Sequence, residues 1–211
     1  MGGSRVKPHF ITVEGPIGIG KTSLAEAISE RFGFVLLKEI VEENPFLGKF
    51  YENIEEWSFQ TEMFFLCNRY KQLRDIESRH LLAGQSVVAD YNIFKNTIFA
   101  RRTLSGSELA KYLTIYDILT ADMPQASLIV YLNASVDTIM SRIAKRGRPF
   151  EKNIEKEYIR VLQHDYNNFF DSFKKTHPTV PVIDINGDEV DFVERESDLE
   201  AVLMRIQHDL S

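Results

Sequence analysis

A parallel α/β sheet covered by helices on both faces is predicted from three features of the sequence. Short continuous apolar runs alternate with longer segments of helical periodicity. Strands buried on both faces read as such runs, because neither side meets water. The first run leads directly into Gly15-Pro16-Ile17-Gly18-Ile19-Gly20-Lys21-Thr22, which fits Gly-x-x-x-x-Gly-Lys-[Ser/Thr] in full. Strand, glycine-rich loop and helix is the setting that makes this motif a phosphate cradle. The next two strands end at Glu39 and Asp90. In parallel sheets the ligand sits at those carboxyl ends.

In chain order, residues 10–13 (Phe-Ile-Thr-Val) are the first strand, and Leu24, Ile28 and Phe32 then recur at helical spacing. Residues 34–37 are the second strand, and 39–53 a polar, proline-containing connector. A long helix is expected over 55–82, with Trp57, Phe64, Leu66, Tyr70 and Leu73 among its apolar positions. Residues 86–90 form the third strand, followed by helical pattern over 93–101 and 105–120. Residues 128–132 are the fourth strand. The helix over 136–145 ends in Arg146-Gly147-Arg148-Pro149. A helix over 154–175, a fifth strand over 180–184 and a last helix over 199–210 complete the chain.

A chain of 211 residues with 44% hydrophobic and 27% charged residues suits one soluble globular domain, expected over 10–211. Residues 1–9 are expected to be disordered. The net charge of −6 argues against a nucleic-acid footprint, so positive charge for a nucleotide must be gathered locally. Cys67 is the one cysteine, which excludes an intramolecular disulfide, and no Cys/His zinc spacing is present. No stretch has the length and apolarity of a membrane span, and no signal-peptide core precedes the first strand. A cytoplasmic enzyme is the expectation.

In the loop, glycines let successive N–H groups point inward, and the helix N-terminus adds partial positive charge. Lys21 is expected on the β/γ-phosphates and the Thr22 hydroxyl on Mg²⁺. Glu39 and Asp90 converge on this cradle, where carboxylates repel one another and the phosphates. A metal or a proton-acceptor role would justify that cost; taken singly, each reads equally as a solvated loop acid. Arg142, Lys145, Arg146 and Arg148 form a basic cluster, with Arg142 and Arg146 four apart on one helix face. Such cations suit a helix C-terminus, or a lid over a transferring phosphoryl group.

The phosphate loop, Lys38-Glu39-Ile40-Val41-Glu42-Glu43-Asn44-Pro45, Tyr51 with Trp57-Ser58-Phe59, and Arg146-Gly147-Arg148 occur in a specific order and spacing. On these the sequence resembles the deoxynucleoside kinases, and within them the bacterial deoxyguanosine kinases, from Phe10 to about Asp191. The resemblance implies a P-loop kinase fold: a five-stranded parallel sheet flanked by helices, with an arginine-rich lid, usually dimeric. It implies transfer of the ATP γ-phosphate, with Mg²⁺, to the 5′-hydroxyl of a purine deoxynucleoside, deoxyguanosine first. Gly15, Gly18, Gly20, Lys21, Thr22 and Ser23 are then ATP contacts, with Asp191 and Phe192 near the adenine. Glu39 is the general base. Tyr51 contacts the sugar 3′-hydroxyl, with Glu151 as its acidic partner from the lid. Asp90 lies near Mg²⁺ with Thr22, and Arg142, Arg146 and Arg148 are the lid arginines.

The sequence departs from the family pattern in two places. The acid-Arg-Ser triplet at the end of strand three is here Asp90-Tyr91-Asn92, so the arginine beside the catalytic acid is absent. Glu62 stands where many relatives carry glutamine to read the base. Glu62 and Arg69 are seven residues apart, two helical turns or about 10 Å. A carboxylate against N1–H and N2–H₂, with an arginine on O6/N7, satisfies the polar edge of guanine. Asn96 can also face the base. Adenine and cytosine would set an acceptor against the carboxylate. The alternatives are a deoxyadenosine/deoxycytidine kinase and a nucleoside-monophosphate kinase. The latter needs further cations where residues 39–70 are instead acidic. A GTPase is disfavoured because the guanine-reading Asn-Lys-x-Asp is absent. A homodimer through helices 55–82 and 93–120 is expected from the surplus of Phe64, Phe65, Leu66, Tyr70, Phe94 and Phe99.

Overall fold

The computed structural model describes residues 7–152 and 154–210. Five parallel strands form one sheet in the order β2-β3-β1-β4-β5. They are β1 (Phe10–Glu14), β2 (Val35–Leu37), β3 (Val87–Ala89), β4 (Leu128–Asn133) and β5 (Val182–Asn186). The helices are α1 (Lys21–Phe32), α2 (Leu47–Glu52), α3 (Ile54–Ile76), α4 (Lys95–Thr103), α5 (Gly106–Thr120), α6 (Val136–Arg146), α7 (Lys156–Thr176) and α8 (Glu196–Asp209). This is the P-loop kinase fold expected from the sequence.

Side chains alternate across the strands and build a core on each face. Ile11, Val13, Leu128, Val130 and Leu132 pack with Leu24 and Ile28 of α1 and Ile139 of α6. Phe10, Ile129 and Tyr131 face the other way, onto Tyr166 and Phe170 of α7 and Phe94. Each fully buried aliphatic side chain contributes roughly 1.5–3 kcal/mol. The chain leaves β1 for β2, skipping the position of β3, and later crosses β1 to reach β4. The order therefore reverses at β1, and a crevice opens at its carboxyl end.

Four local features differ from expectation. The connector over 39–53 contains α2, whose Leu47 and Phe50 are buried; six residues are too few to display a period. The long helix is regular only to Ile76 and continues as one wider turn, Glu77–Leu81. The fifth strand begins at Val182, because Pro181 has no N–H to donate, while its carbonyl accepts from Ile129 N at 3.0 Å. The disorder expected over 1–9 does not reach His9. Its N–H donates to Ser86 Oγ (3.0 Å), its carbonyl accepts from Val87 N (2.8 Å), and its ring stacks on Phe34. Residues 1–6 lie outside the described residues.

Candidate active site

The phosphate loop is fitted closely to its surroundings. Gly18 has φ +80°, and a Cβ there would lie 2.5 Å from Ile143 Cγ1 of α6. No other residue type fits. At the foot of the loop the buried Glu14 carboxylate accepts Gly15 N and Asn92 N, both at 2.8 Å, and Tyr166 OH at 3.1 Å. Lys21 folds over the loop, donating to Gly15 O and Pro16 O at 2.8 Å. Burial, with Lys95 nearby, lowers its ammonium to about 8.

One expected lid arginine, Arg142, and one expected ATP contact, Phe192, take other places. Arg142 donates to Ile19 O and Gly187 O, both at 2.9 Å, so it fastens the phosphate loop to the turn after β5. A guanidinium fork four residues before Arg146 can reach both carbonyls from α6, and backbone acceptors leave no trace in sequence. Phe192 is buried against Gly20 and shapes the loop from behind, whereas Asp191 lines the cleft.

The two strand-end carboxylates meet as expected. Asp90 Oδ2 accepts from Thr22 Oγ1 at 2.6 Å and Oδ1 from Glu39 N at 2.7 Å. Burial raises the Asp90 carboxyl above its ordinary value. Glu39 Oε1 accepts from both Arg69 Nε (3.0 Å) and Arg69 Nη2, and Oε2 accepts from Lys95 Nζ at 2.8 Å. Burial opposes its ionisation, but Lys95 and Arg69 outweigh burial and hold it far below the usual carboxylate range.

This corrects the expected position of Arg69. Three of its donors are committed, two to Glu39 and one from Nη1 to Asn96 Oδ1 at 2.8 Å. Two of its five N–H groups remain, and Arg69 still lines the cleft. Asn96 Nδ2 continues the network to Tyr112 OH at 2.8 Å. Glu62 is buried at the same end of the cleft, and among the described residues only the Thr103 hydroxyl donates to its carboxylate, at 3.3 Å. Burial pushes Glu62 up to about 7. Beside it, the buried Thr61 Oγ1 has no hydrogen-bond partner among the described residues.

At the lid, Arg146 grips Glu151 through Nε (3.1 Å) and Nη2 (2.5 Å). Arg148 lies 3.6 Å from Glu42 and 3.9 Å from Glu151. Glu151 is itself buried, and its charge, after burial, is the main influence raising the Tyr51 phenol. Tyr51 and Glu151 both line the cleft. Ser23 reaches the cleft beside Thr22. Lys95 was missed by sequence reasoning, although it is the sole charge between Ile93 and Ala100. Tyr91 is fully buried, its ring 5.7 Å from the Arg69 guanidinium and its hydroxyl donating to Gln72 Oε1 at 3.0 Å.

The cleft of about 960 Å³ runs from the phosphate loop through Glu39 and Lys95 to Thr61 and Glu62. That is the upper end of the roughly 300–1,000 Å³ usual for small-molecule sites, room for a donor and an acceptor end to end. The family model described as deoxynucleoside kinase matches residues 11–210. The chain belongs to the deoxynucleoside kinase family. It is 52% identical over 198 residues to a deoxyguanosine kinase of Bacillus subtilis (strain 168), covering 94% of this chain and 96% of that one. A deoxyadenosine/deoxycytidine kinase of the same organism is 30% identical, covering 95% and 92%. Among solved structures, a deoxyadenosine kinase from M. mycoides with dCMP and a flexible dCDP bound superposes with a TM-score of 0.80. It is 24% identical and matched over 94% of this chain and 99% of that one, a likeness of fold. Members of this family are kinases, so phosphoryl transfer is the reaction of this chain.

Proposed function

We propose that this deoxynucleoside kinase transfers the ATP γ-phosphoryl group to the 5′-hydroxyl of deoxyguanosine. The observation that carries the base choice is Glu62, a buried carboxylate with one weak partner at the acceptor end of the cleft. Ionised, it only accepts, which suits N1–H and N2–H₂ of guanine. The remaining Arg69 donors serve O6, and Thr61 Oγ1 gains the partner it lacks. The 52% identity to the B. subtilis enzyme supports the same choice.

The donor lies over Gly15, Gly18, Gly20 and Ser23, with Lys21 on its phosphates and Asp191 towards its base. Among the described residues no cluster of three His, Cys, Asp or Glu side chains is arranged for a metal. Thr22 Oγ1 and Asp90 Oδ2, 2.6 Å apart, do fit Mg²⁺, which binds one or two protein oxygens together with substrate phosphates. Held by Thr22 and Asp90, Mg²⁺ would supply positive charge against the nucleotide phosphates. Glu39 removes the 5′-hydroxyl proton as the new O–P bond forms and the bond to the ADP oxygen breaks. Arg146 and Arg148 face the phosphoryl group, and Tyr51 with Glu151 holds the 3′-hydroxyl.

The test is a panel of deoxynucleosides, monophosphates and no acceptor with Mg-ATP. Deoxyguanosine should give the highest kcat/KM, with deoxyinosine next. Equal use of deoxyadenosine or deoxycytidine would refute the base reading and leave the kinase intact; preference for monophosphates would refute both. The same assay carries a pH signature. Below about 7 Glu62 gains a proton and becomes donor and acceptor at once, which suits N6 and N1 of adenine. The kcat/KM for deoxyguanosine should fall by up to about tenfold per pH unit below 7, and its lead over deoxyadenosine should narrow. A ratio constant from pH 8 to 6 contradicts the role of Glu62.

The cytoplasm is the proposed compartment; among the described residues no helix is long and apolar enough to cross a membrane. A homodimer is also proposed, on a narrower basis than the sequence suggested. Leu66 and Phe94 are core residues. The support comes from α5, where Tyr112 alone is buried, Leu113, Tyr116 and Leu119 are half-covered, and Ile118 is 71% exposed. Light scattering should return twice the monomer mass, and Ile118→Glu should shift it towards the monomer.

A further inference from the structure

Glu39 has two oxygens, and they are not equivalent. Oε1 accepts two N–H groups of one guanidinium, which fills both of its lone-pair directions. Among the described residues Oε2 accepts one donor, Lys95 Nζ at 2.8 Å, which leaves it one open direction. A proton leaving the 5′-hydroxyl can therefore be taken only by Oε2, and the direction left open there is set by where Lys95 stands.

The position of Lys95 is costly on grounds of structure alone. Its side chain is 7% exposed. It is the first residue of α4, where the helix dipole disfavours a cation. It also lies close enough to Lys21 to depress that ammonium. Its backbone is tied down, since Lys95 N donates to Asn92 O at 3.1 Å. Asn92 in turn is pinned through its side chain to Thr12 Oγ1 at 3.1 Å and through its N–H to Glu14. The ammonium lies 5.7 Å from the centre of the Phe99 ring. The same brace that fixes the phosphate loop, Glu14, thus fixes the segment that carries Lys95.

We propose that Lys95 is a positioning residue for phosphoryl transfer: it orients Glu39 Oε2 towards the acceptor hydroxyl, while Arg69 anchors Oε1. This rests on the reading of Glu39 as the base. In the transfer the 5′-O–H bond breaks, its proton passes to Oε2, the O–P bond forms, and the P–O bond to ADP breaks with its electron pair on ADP. Lys95 keeps its proton throughout.

Steady-state kinetics of Lys95→Met, Lys95→Gln, Lys95→Arg, Glu39→Gln and the Glu39→Gln/Lys95→Met double variant test this, with melting curves for each. Lys95→Met and Lys95→Gln should lose on the order of 10²-fold in kcat, the effect of misplacing a reacting group by about 1 Å. KM for deoxyguanosine and ATP should stay within about threefold. Lys95→Arg, which keeps a charged donor, should recover kcat to within about tenfold of wild type. In the double variant, removing Lys95 should cost less than about threefold beyond Glu39→Gln alone, because it acts through that carboxylate. A folded neutral variant with near-normal kcat overturns the proposal, as does a multiplicative double variant. Loss of folding in both neutral variants with an inactive Lys95→Arg assigns Lys95 to the structure and overturns it equally. Normal turnover in Glu39→Gln marks failure of the base reading instead, and is seen separately.

Discussion

Glu39→Gln is expected to lower kcat on the order of 10²–10⁴-fold, with KM for nucleoside and ATP little changed. The amide keeps the shape of the carboxylate but cannot take a proton. The loss therefore falls in the transition state and not in ground-state binding. Glu39 is a weak base, held weaker still by Lys95 and Arg69. This is compatible with catalysis because the phosphoryl-transfer transition state is loose and proton removal comes late, so orientation outweighs basicity. Orientation is what the site supplies: three N–H donors fix a carboxylate that is 9% exposed. The substitution also leaves two buried cations facing a neutral group. Breaking a buried ion pair from one side costs about 3–5 kcal/mol, so the melting temperature should fall as well. Kinetics are therefore best measured well below the new midpoint. A folded variant with near-normal kcat would remove Glu39 from the chemistry.

The sheet was legible because parallel strands, buried on both faces, write themselves as unbroken apolar runs. The phosphate loop was legible because its glycines are demanded by geometry: a side chain at Gly18 collides with Ile143. Glu39, Asp90, Tyr51 and Glu151 stood out in the sequence because each lies at a strand end or within a recognisable motif. What stayed hidden depends on distance in space. Arg69 and Glu62 share a helix, and spacing alone suggested that both face one base. In the fold Arg69 turns to Glu39, thirty residues earlier in the chain, and Asn96. Lys95 is a single cation in an apolar segment, and only the packing of α4 against α3 in the fold shows which carboxylate it serves. Arg142 looked like a lid residue because it is spaced as one; its partners are backbone carbonyls, which no side-chain pattern records. The short α2 was lost among the charges on either side of it.

Lys21→Met should reduce kcat/KM for ATP on the order of 10²–10³-fold, as expected when a preorganised donor to developing charge is removed. The same change should leave the melting temperature of the nucleotide-free protein at pH 7 no lower than that of the wild type. A structural lysine would behave in the opposite way. The Lys21 side chain is half-buried, its hydrogen-bond partners among the described residues are two neutral carbonyls, Gly15 O and Pro16 O, and desolvation with repulsion from Lys95 outweighs the pull of Glu14, Glu39 and Asp90. Its folded-state value of about 8 lies below the ordinary 10.5, so the folded chain gives up this proton more readily than the unfolded one. Between those two values the unfolded state binds more protons, and stability rises with pH. Below about 8 the full cost of the buried charge remains, and a methionine of similar length removes it. Any advantage of the variant at pH 7 should thus shrink towards pH 10. Bound ATP reverses the balance, because its phosphates pair with the ammonium in the folded state alone; saturating ATP should raise the wild-type midpoint more than that of the variant. A variant that melts well below wild type at pH 7 without ligand would show that Lys21 holds the loop together, and normal turnover would remove it from the phosphates.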